Sequence, residues 1–413
     1  ITQLDEEIVV TADEPVEVRR LDVYPSELSV DRMLTALHDA VLKGSDDRKD
    51  ILFGRREPEF SDGEETFIDN NAGQNRAVNL AVNAEDCALI HGPPGTGKTY
   101  TIARLIRALV ARGERVLLTA FTNRAVDNAL EALRAQGFED IQRVGTTTGI
   151  REDMLDVRLD TEGDPGELAS ALHSAPVVAA TTASCGSRVM REQEFDVAVV
   201  DEASQLTEPS ALAALNRAER FVLVGDHEQL PPVVQAAEPA GDEGGADGDG
   251  GSDGEHGDGA DDENPLARSL FERLIEAYPA ASVMLTEQYR MSQRIQSFAS
   301  AEFYDGALRP ASGDVAGQAV GDLVDPAALP AELRDGVAFV DPDGERVGNT
   351  NPVEADRVAE IVDSYIAAGV DPEDIGVIAP FRAQVAEISR RVDVTVDTVD
   401  RFQGSSKEVI IVS

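Results

Sequence analysis

The chain has 413 residues and a formal net charge of −42. This length excludes a single small domain and predicts two or three domains, each large enough to bury its own core. A charge of this sign ordinarily argues against binding to nucleic acid, because affinity for phosphates comes from basic patches.

The choice of basic residues favours a different interpretation of the charge. Lysine occurs only at positions 43, 49, 98 and 407, so nearly all basic residues are arginines. This pattern is typical of a halophile's cytoplasm, where molar salt shortens the Debye length to roughly 3 Å and screens self-repulsion. The net charge then indicates a habitat of high salt concentration more than it indicates the binding partner. An acidic protein that avoids nucleic acid is the alternative.

Neither the cysteines nor the apolar runs indicate a disulfide-rich or membrane protein. Cys87 and Cys185 lie far apart, without the spacing of a zinc site, and each is predicted to be a small buried side chain. No apolar run approaches the ~20 residues that cross a bilayer, so a soluble, cytoplasmic protein is expected. The chain begins with Ile1 and ends in EVIIVS, and we expect it to be a piece of a longer polypeptide.

The first part of the chain, residues 1–68, is predicted to hold a strand remnant and a helical stalk. Residues 1–22 alternate weakly between apolar and polar side chains, which indicates one or two strands. Residues 26–43 place apolar side chains at helical spacing. Neither segment carries a chemical motif.

Two α/β domains are predicted after the stalk. Over residues 69–284, apolar runs such as CALI and FDVAVVDE alternate with helical stretches, as a parallel sheet covered on both faces requires. Strand-like runs resume later (SVMLTEQYR, GVAFVD, DIGVIAP, VTVDTV and EVIIVS), and a second α/β domain is predicted over 285–413. The acidic, glycine-rich segment 236–263 is predicted to be a disordered insertion, because it has almost nothing apolar to bury. An acidic metal-binding or partner-binding tail is the alternative.

The stretch HGPPGTGKT matches the phosphate-binding pattern GxxxxGK[ST]. A buried strand is predicted before it and a helix after it, which is the context that the pattern requires. Glycines let backbone N–H groups approach phosphates, Lys98 can reach the β and γ oxygens, and Thr99 can ligate Mg²⁺. A plain glycine-rich turn is the alternative. The predicted nucleotide-binding residues of this loop are Gly92, Pro93, Pro94, Gly95, Thr96, Gly97, Lys98 and Thr99.

Two adjacent acids end another predicted buried strand, in VAVVDEAS. Asp201 is predicted to hold the metal through water, and Glu202 to orient and deprotonate the attacking water. A solvated turn is the alternative for such a pair. Together with the phosphate loop, the pair predicts hydrolysis of a nucleoside triphosphate.

The order of the motifs resembles motifs Q to V of superfamily 1B helicases. The matching stretches run from NNAGQNRAV and HGPPGTGKT through LLTAFTNRAVDNAL, VVAATTAS, VVDEASQLTEPSAL and LVGDHEQLPPVV to SLFERL, LTEQYRMSQRIQSFASAEFYDGAL, DIGVIAPFRAQ and VDTVDRFQGSSKEVIIVS. The chain is most similar to the up-frameshift and immunoglobulin-mu-binding-protein branch, which includes the helicase half of replication nuclease-helicases. This resemblance covers residues 26 to 413 and implies two RecA-like P-loop domains with parallel sheets.

The resemblance also implies roles for residues outside the phosphate loop. Gln229 in GDHEQLPP would lie near the γ-phosphate, and Arg290 in EQYR would be an arginine finger from the second domain. An ATP site split between two domains would couple hydrolysis to opening and closing of a cleft. Taken singly, each of these residues could be an ordinary surface residue. The further residues implied at the nucleotide are Gln74 at the adenine, Tyr289 on the base, and Gln403 and Gly404 near the phosphates.

Single-stranded nucleic acid is implied as the partner, held by hydroxyls, amides and backbone groups that grip phosphate and sugar without reading sequence. For the threonines and the asparagine among the implied contacts, capping of a loop is the alternative role. The implied contacts are Thr122, Asn123, Thr181, Thr182, Pro380, Arg382 and Thr398.

Two departures from the family pattern are visible. The last family motif is absent before Ser413, and Ser406 stands where the family usually has an acid that holds the ribose. The chain also has no nuclease constellation before the motor, so any nuclease half is expected upstream of Ile1.

The sequence therefore predicts an ATP- and Mg²⁺-dependent 5′→3′ helicase on single-stranded nucleic acid, with DNA favoured over RNA. An RNA helicase that remodels ribonucleoproteins and a nucleotide-switched clamp that does not translocate are the alternatives. A P-loop kinase would leave the second domain unexplained. A monomer is favoured.

Overall fold

The computed structural model describes residues 27–159, 165–232, 268–342 and 348–413, together with two short strands at 3–4 and 8–9. The predicted acidic insertion lies outside the described residues. None of the described helices combines the length and apolar character needed to span a membrane.

The strands are β1 (Gln3–Leu4), β2 (Ile8–Val9), β3 (Cys87–His91), β4 (Val116–Ala120), β5 (Ile141–Val144), β6 (Val177–Thr181), β7 (Phe195–Asp201), β8 (Ala218–Gly225), β9 (Ser282–Met284), β10 (Glu287–Gln288), β11 (Arg309–Pro310), β12 (Ile375–Ile378), β13 (Thr395–Asp397) and β14 (Val409–Val412).

The α-helices are α1 (Glu27–Leu42), α2 (Asp46–Leu52), α3 (Ala72–Asn83), α4 (Lys98–Ala111), α5 (Asn123–Ala135), α6 (Pro165–Ser174), α7 (Thr182–Cys185), α8 (Arg188–Arg191), α9 (Glu208–Leu215), α10 (Leu270–Ala277), α11 (Gln293–Phe303), α12 (Gly313–Ala316), α13 (Val320–Leu323), α14 (Pro352–Ala368), α15 (Arg382–Ser389) and α16 (Val399–Phe402). Short 3-10 helices cover Glu152–Val157, Ala203–Gln205, Pro279–Ala281, Pro326–Ala328, Ala331–Leu333 and Pro372–Asp374.

A seven-stranded sheet dominates the first half of the chain, with strand order β5-β6-β4-β7-β8-β3-β9. Every neighbouring pair is parallel. All residues of β3, β4 and β6 are buried, which explains their unbroken apolar sequences. Leu89 faces one hydrophobic core and its neighbour Ile90 faces another, so each face of the sheet is covered. The predicted α/β class with a parallel sheet is confirmed.

The later part of the chain forms a smaller parallel sheet with strand order β13-β12-β14. Its core includes residues of β12 and of the long helix α14, such as Val377 and Val358. The domain bounds at residues 68, 284 and 413 stay a prediction.

Two of the predicted strand-like runs behave differently in the structure. SVM, the start of the run SVMLTEQYR, is β9 and forms the edge of the first sheet beside β3 rather than part of the later sheet. GVAFVD forms no strand within its described residues, and the Phe339 side chain is 92% exposed. Alternating apolar residues favour a strand only where a partner strand is available, and no strand in the described part of the chain pairs with this run.

The predicted stalk is helical and packs on the first sheet's outer helices. The Asn216 side-chain amide donates to the Ala36 carbonyl at 2.8 Å, and Arg32 donates to the Ala183 carbonyl at 2.9 Å. The strand remnant consists of β1 and β2, which pair antiparallel.

Candidate nucleotide site and nucleic-acid interface

The predicted site loops all follow the carboxyl ends of parallel strands. In the register of the first sheet, His91 pairs with Gly225, and Ala120 pairs with both Asp201 and Thr181. Because parallel strands point the same way, the loops after β3, β4, β6, β7 and β8 emerge at one edge. Ligands bind at this edge in open α/β sheets.

The phosphate loop joins β3 to α4 through a tight turn. Gly95 and Gly97 have φ angles of 75° and 77°, in the left-handed region that side chains disfavour. A Cβ atom at Gly97 would lie 2.6 Å from the Gln74 amide nitrogen. Lys98 begins α4 and its Nζ donates to the Gly92 carbonyl at 2.7 Å. The loop therefore has the helix N-terminus and the close backbone approach that anion binding uses.

Asp201 ends β7 as a buried carboxyl group. Burial, together with the charge of Glu202, raises the pKa of Asp201 to about 7, although Lys98 lowers it in part. The Glu202 amide donates to Asp201 Oδ1 at 2.8 Å. A divalent cation would favour the ionised form of such a carboxyl. The Asp201 carboxyl group therefore suits the predicted metal, and its pairing with Thr99 stays a prediction.

Glu202 has a strained backbone with φ 51°, which is uncommon for a residue with a side chain. Its half-buried carboxylate lies 3.5 Å from the Gln205 amide nitrogen. Strained residues of this kind cluster at functional sites, where the surrounding structure holds them in place.

Asp226, which directly follows β8, is the centre of a buried hydrogen-bond network. Its Oδ1 lies 2.9 Å from His91 Nε2, and its Oδ2 accepts bonds from Gln229 Nε2 at 2.7 Å and from the Tyr304 hydroxyl at 2.8 Å. Burial raises the pKa of Asp226, but the hydrogen bonds from His91, Gln229 and Tyr304 outweigh burial and hold it below the usual value. Sequence reasoning identified Gln229 and missed the other three residues.

The same region holds a group of possible metal ligands. Ligand atoms of His91, Asp226 and His227 all lie within 4.8 Å of one another. Both Asp226 oxygens already accept hydrogen bonds, so the arrangement is accounted for without a cation.

Tyr289 and Arg290 lie against the phosphate loop, in the segment after β9. The Tyr289 amide donates to the Gly95 carbonyl at 2.9 Å, and its hydroxyl accepts a bond from Asn71 at 2.8 Å. A Cβ atom at Gly95 would lie 2.7 Å from Arg290 Cβ. Arg290 thus adjoins the loop that contains Lys98.

Gln288 fixes this turn and was missed by sequence reasoning. The residue is fully buried, and its side-chain oxygen accepts from the amides of Arg290 at 2.9 Å and Met291 at 2.7 Å. The only sequence signal was its place as the second residue of the EQYR motif.

Gln74 is buried at the start of α3, not on a helix surface. Its Nε2 donates to the Thr96 carbonyl at 2.9 Å, and its backbone amide is capped by Asn71 at 2.8 Å. This places Gln74 against the phosphate loop, and its contact with adenine stays a prediction.

Gln403 connects the later sheet to the first. Its Nε2 donates to Gln229 Oε1 at 3.4 Å, and the next residue, Gly404, has φ 77°. Gln229 therefore lies between Asp226 of the first sheet and Gln403 of the chain segment between β13 and β14.

The predicted nucleic-acid residues also follow strand ends. Thr122 caps α5 by accepting from the Ala125 amide at 3.1 Å, and Thr181 caps α7 by accepting from Ser184 at 3.3 Å. The capping interpretation thus holds for both hydroxyls, which leaves their contact with a strand as a prediction. Thr182 is buried, whereas Asn123 and Arg382 are exposed. Pro380 and Arg382 follow β12, and Thr398 follows β13.

Asn123 is held by a buried ion pair that sequence reasoning missed. Arg143 is fully buried and donates to Asp127 at 2.9 Å and to the Asn123 side-chain oxygen at 2.8 Å. A buried arginine on a β-strand gave no recognisable sequence signal.

Comparison with known proteins finds relatives that match most of the chain. Residues 69–166 and 162–237 match a family model described as an AAA domain, and residues 266–413 match a second AAA domain model. The chain is 35% identical over 360 residues to the DNA replication ATP-dependent helicase/nuclease JHS1 of Arabidopsis thaliana, covering 83% of this chain and 25% of that protein. It is 35% identical over 380 residues to the DNA replication ATP-dependent helicase/nuclease DNA2 of Xenopus laevis, covering 83% of this chain and 34% of that protein.

The chain therefore spans only about a quarter to a third of the length of these relatives.

Among solved structures, an arterivirus nonstructural protein 10 helicase in complex with DNA is 17% identical with a TM-score of 0.39, covering 80% of this chain and 54% of that chain. The two AAA domain matches together span more than half of the chain. The chain belongs to the superfamily 1B helicases of the Dna2/Nam7-like group, a family of ATP-hydrolysing helicases.

Proposed function

We propose that this chain is the motor of an ATP-dependent 5′→3′ helicase that translocates on single-stranded nucleic acid, with DNA as the favoured polymer. The observation that carries the proposal is the meeting of Lys98, Asp201 and Gln229 at one sheet edge with Arg290 and Gln403 from later in the chain. Such a site would be completed only when both parts of the chain are in place.

Each residue has a role that its geometry supports. Lys98 would move from the Gly92 carbonyl to the β and γ oxygens of ATP, which are stronger acceptors. Glu202 would orient the attacking water and accept its proton, and Arg290 would neutralise charge that develops on the γ-phosphate. Thr99 and Asp201 would hold Mg²⁺, which neutralises charge on the phosphate oxygens when bound.

Hydrolysis would be converted to movement through the contacts between the two parts. Gln229 contacts Gln403, and Tyr289 contacts the phosphate loop. The negatively charged γ-phosphate would attract both Arg290 and Lys98. Its loss would remove this attraction, so the cleft would open. The exposed residues Asn123 and Arg382 follow β-strands of different sheets. A nucleic-acid strand bound by both residues would therefore be displaced as the cleft opens and closes.

The names of the two relatives support DNA as the polymer, since both are called DNA replication ATP-dependent helicase/nucleases. The 5′→3′ polarity depends on the family resemblance alone. A nuclease part upstream of this chain, the monomeric state, the high-salt habitat and the cytoplasmic location stay predictions.

The test compares ATP turnover of the full-length natural protein without polymer, with single-stranded DNA, and with RNA of matched length, in molar KCl. We expect DNA to accelerate turnover more than RNA does, and Lys98→Ala to abolish turnover with every polymer. A larger acceleration by RNA would favour an RNA helicase instead. Turnover that neither polymer changes would refute the proposal.

The second candidate is a nucleotide-switched clamp, which the partly buried contact between Gln229 and Asp226 would also suit. Polymer-stimulated hydrolysis without displacement of a duplex strand, on substrates with either a 5′ or a 3′ tail, would favour the clamp. Displacement only with the 5′ tail would favour the helicase.

A further inference from the structure

Gln229 has its side-chain orientation fixed by Asp226. An ionised carboxylate only accepts hydrogen bonds, so the contact at 2.7 Å must be made by the Gln229 amide nitrogen as donor. The Gln229 carbonyl oxygen then points away from Asp226, where it accepts from Gln403 at 3.4 Å. An amide held in this way would offer its remaining lone pair to a water molecule at the γ-phosphate, in the role proposed for Gln229.

Asp226 is itself held by residues from three parts of the fold. Its Oδ1 lies 2.9 Å from His91, which ends β3, and accepts from the Glu228 backbone amide at 3.2 Å. Its Oδ2 is shared between Gln229 and the Tyr304 hydroxyl at 2.8 Å. The carboxylate is fully buried, so losing any one of these partners cannot be made up by bulk water.

Tyr304 differs from the other partners because it comes from the segment after Arg290. It caps the carboxyl end of α11 and its side chain is only 6% exposed. Its ring centre lies 5.9 Å from the ring centre of His91, so both rings pack together beside the carboxylate. Tyr304 and Gln229 bond to the same oxygen atom, and a shift of α11 would therefore change the position of that oxygen relative to Gln229.

We propose that Tyr304 is a positioning residue for ATP hydrolysis, which acts through Asp226 to orient the Gln229 amide. Tyr304 itself touches neither nucleotide nor water in this role. The inference rests on the proposed function, because it requires that Gln229 takes part in hydrolysis. It also assigns a purpose to the segment SAEFYDGAL, which the nucleotide site does not otherwise use.

The test uses Tyr304→Phe in the full-length natural protein, with ATP turnover measured at saturating single-stranded DNA. We expect kcat to fall about tenfold, because one buried charge-assisted hydrogen bond is lost, while KM for ATP changes less than about twofold. Tyr278→Phe is the matched control, since Tyr278 is also buried and its hydroxyl donates to the Ile51 carbonyl at 2.8 Å. It should keep wild-type kcat, and both variants should unfold at similar temperatures.

A double-mutant cycle separates positioning from a structural role. If Tyr304 acts through Gln229, the double variant Tyr304→Phe/Gln229→Ala should be no slower than Gln229→Ala alone. A double variant slowed by the product of the two single effects, or equal losses in Tyr304→Phe and Tyr278→Phe, would overturn the inference. Wild-type kcat in Tyr304→Phe with impaired Gln229→Ala would overturn this inference alone. Normal turnover in Gln229→Ala would overturn both this inference and the proposed role of Gln229.

Discussion

The buried pair of Arg143 and Asp127 gives a prediction whose magnitude follows from the structure. Arg143 is fully buried and donates to Asp127, to the Val144 carbonyl at 2.8 Å and to Asn123. Arg143→Met would keep much of the side-chain volume but leave the Asp127 carboxylate buried without its counter-ion. Breaking a buried ion pair in this way costs about 3 to 5 kcal/mol of the free energy of unfolding.

A loss of this size is a large part of the ~5–15 kcal/mol that a typical domain has. The assay is urea denaturation followed by circular dichroism, at fixed high salt, for wild type and Arg143→Met. The matched control is Arg151→Met, because Arg151 makes ion pairs with Glu131 and Asp153 while its side chain is 38% exposed. Exposed pairs contribute only ~0–1 kcal/mol, so the control should lose little.

A third variant tests whether the unpaired Asp127 charge causes the loss of stability. Arg143→Met combined with Asp127→Leu removes both charges, and it should regain at least half of the lost free energy of unfolding. Because Arg143 also orients Asn123, Arg143→Met should weaken binding to single-stranded DNA under conditions where it remains folded. Equal destabilisation by Arg143→Met and Arg151→Met would refute the reasoning, since it would mean that burial adds nothing to the cost.

Three further predictions concern the nucleotide site, the cysteines and the acidic segment. Glu202→Gln should bind ATP with near wild-type affinity but hydrolyse it at least about 100-fold more slowly, because the base is lost; normal turnover in a single-turnover assay would show that the base lies elsewhere. Burial raises the pKa of Cys87 to about 12 and of Cys185 to about 11, so both thiols stay protonated at pH 8 in the folded protein. A thiol-reactive dye should therefore label them only after denaturation, and rapid labelling of the native protein would contradict their burial. Deleting residues 240–262 should change ATP turnover by less than about twofold, as their composition predicts no packed structure, and a large loss would show that the segment takes part in function.

The phosphate site was predictable because its parts are adjacent in sequence. The strand CALI, the loop and the helix follow one another, and the structure has β3 ending at His91 and α4 beginning at Lys98. Buried parallel strands also have unbroken apolar sequences, so the fold class could be predicted from the sequence. The roles of the individual site residues stay predictions.

The networks around the site were not predictable, because they join residues that are distant in the chain. His91 and Asp226 are 135 residues apart, and Tyr304 and Asp226 are 78 apart. No local pattern marks such pairs, since each polar residue alone is compatible with a surface position. The wrong prediction of a strand at GVAFVD has the opposite cause, because its local pattern was suitable but no strand of the described residues pairs with it.

In the proposed function, one ATP site is completed by residues from both parts of the chain. The most direct measurement is ATP turnover by Arg290→Ala at saturating single-stranded DNA, in the full-length natural protein, with ATP affinity measured in parallel. An arginine finger contributes about 10³-fold or more, so we expect turnover to fall by that factor while ATP still binds. Turnover within about twofold of wild type would contradict the account, because hydrolysis would then need nothing from the segment that adjoins Gly95.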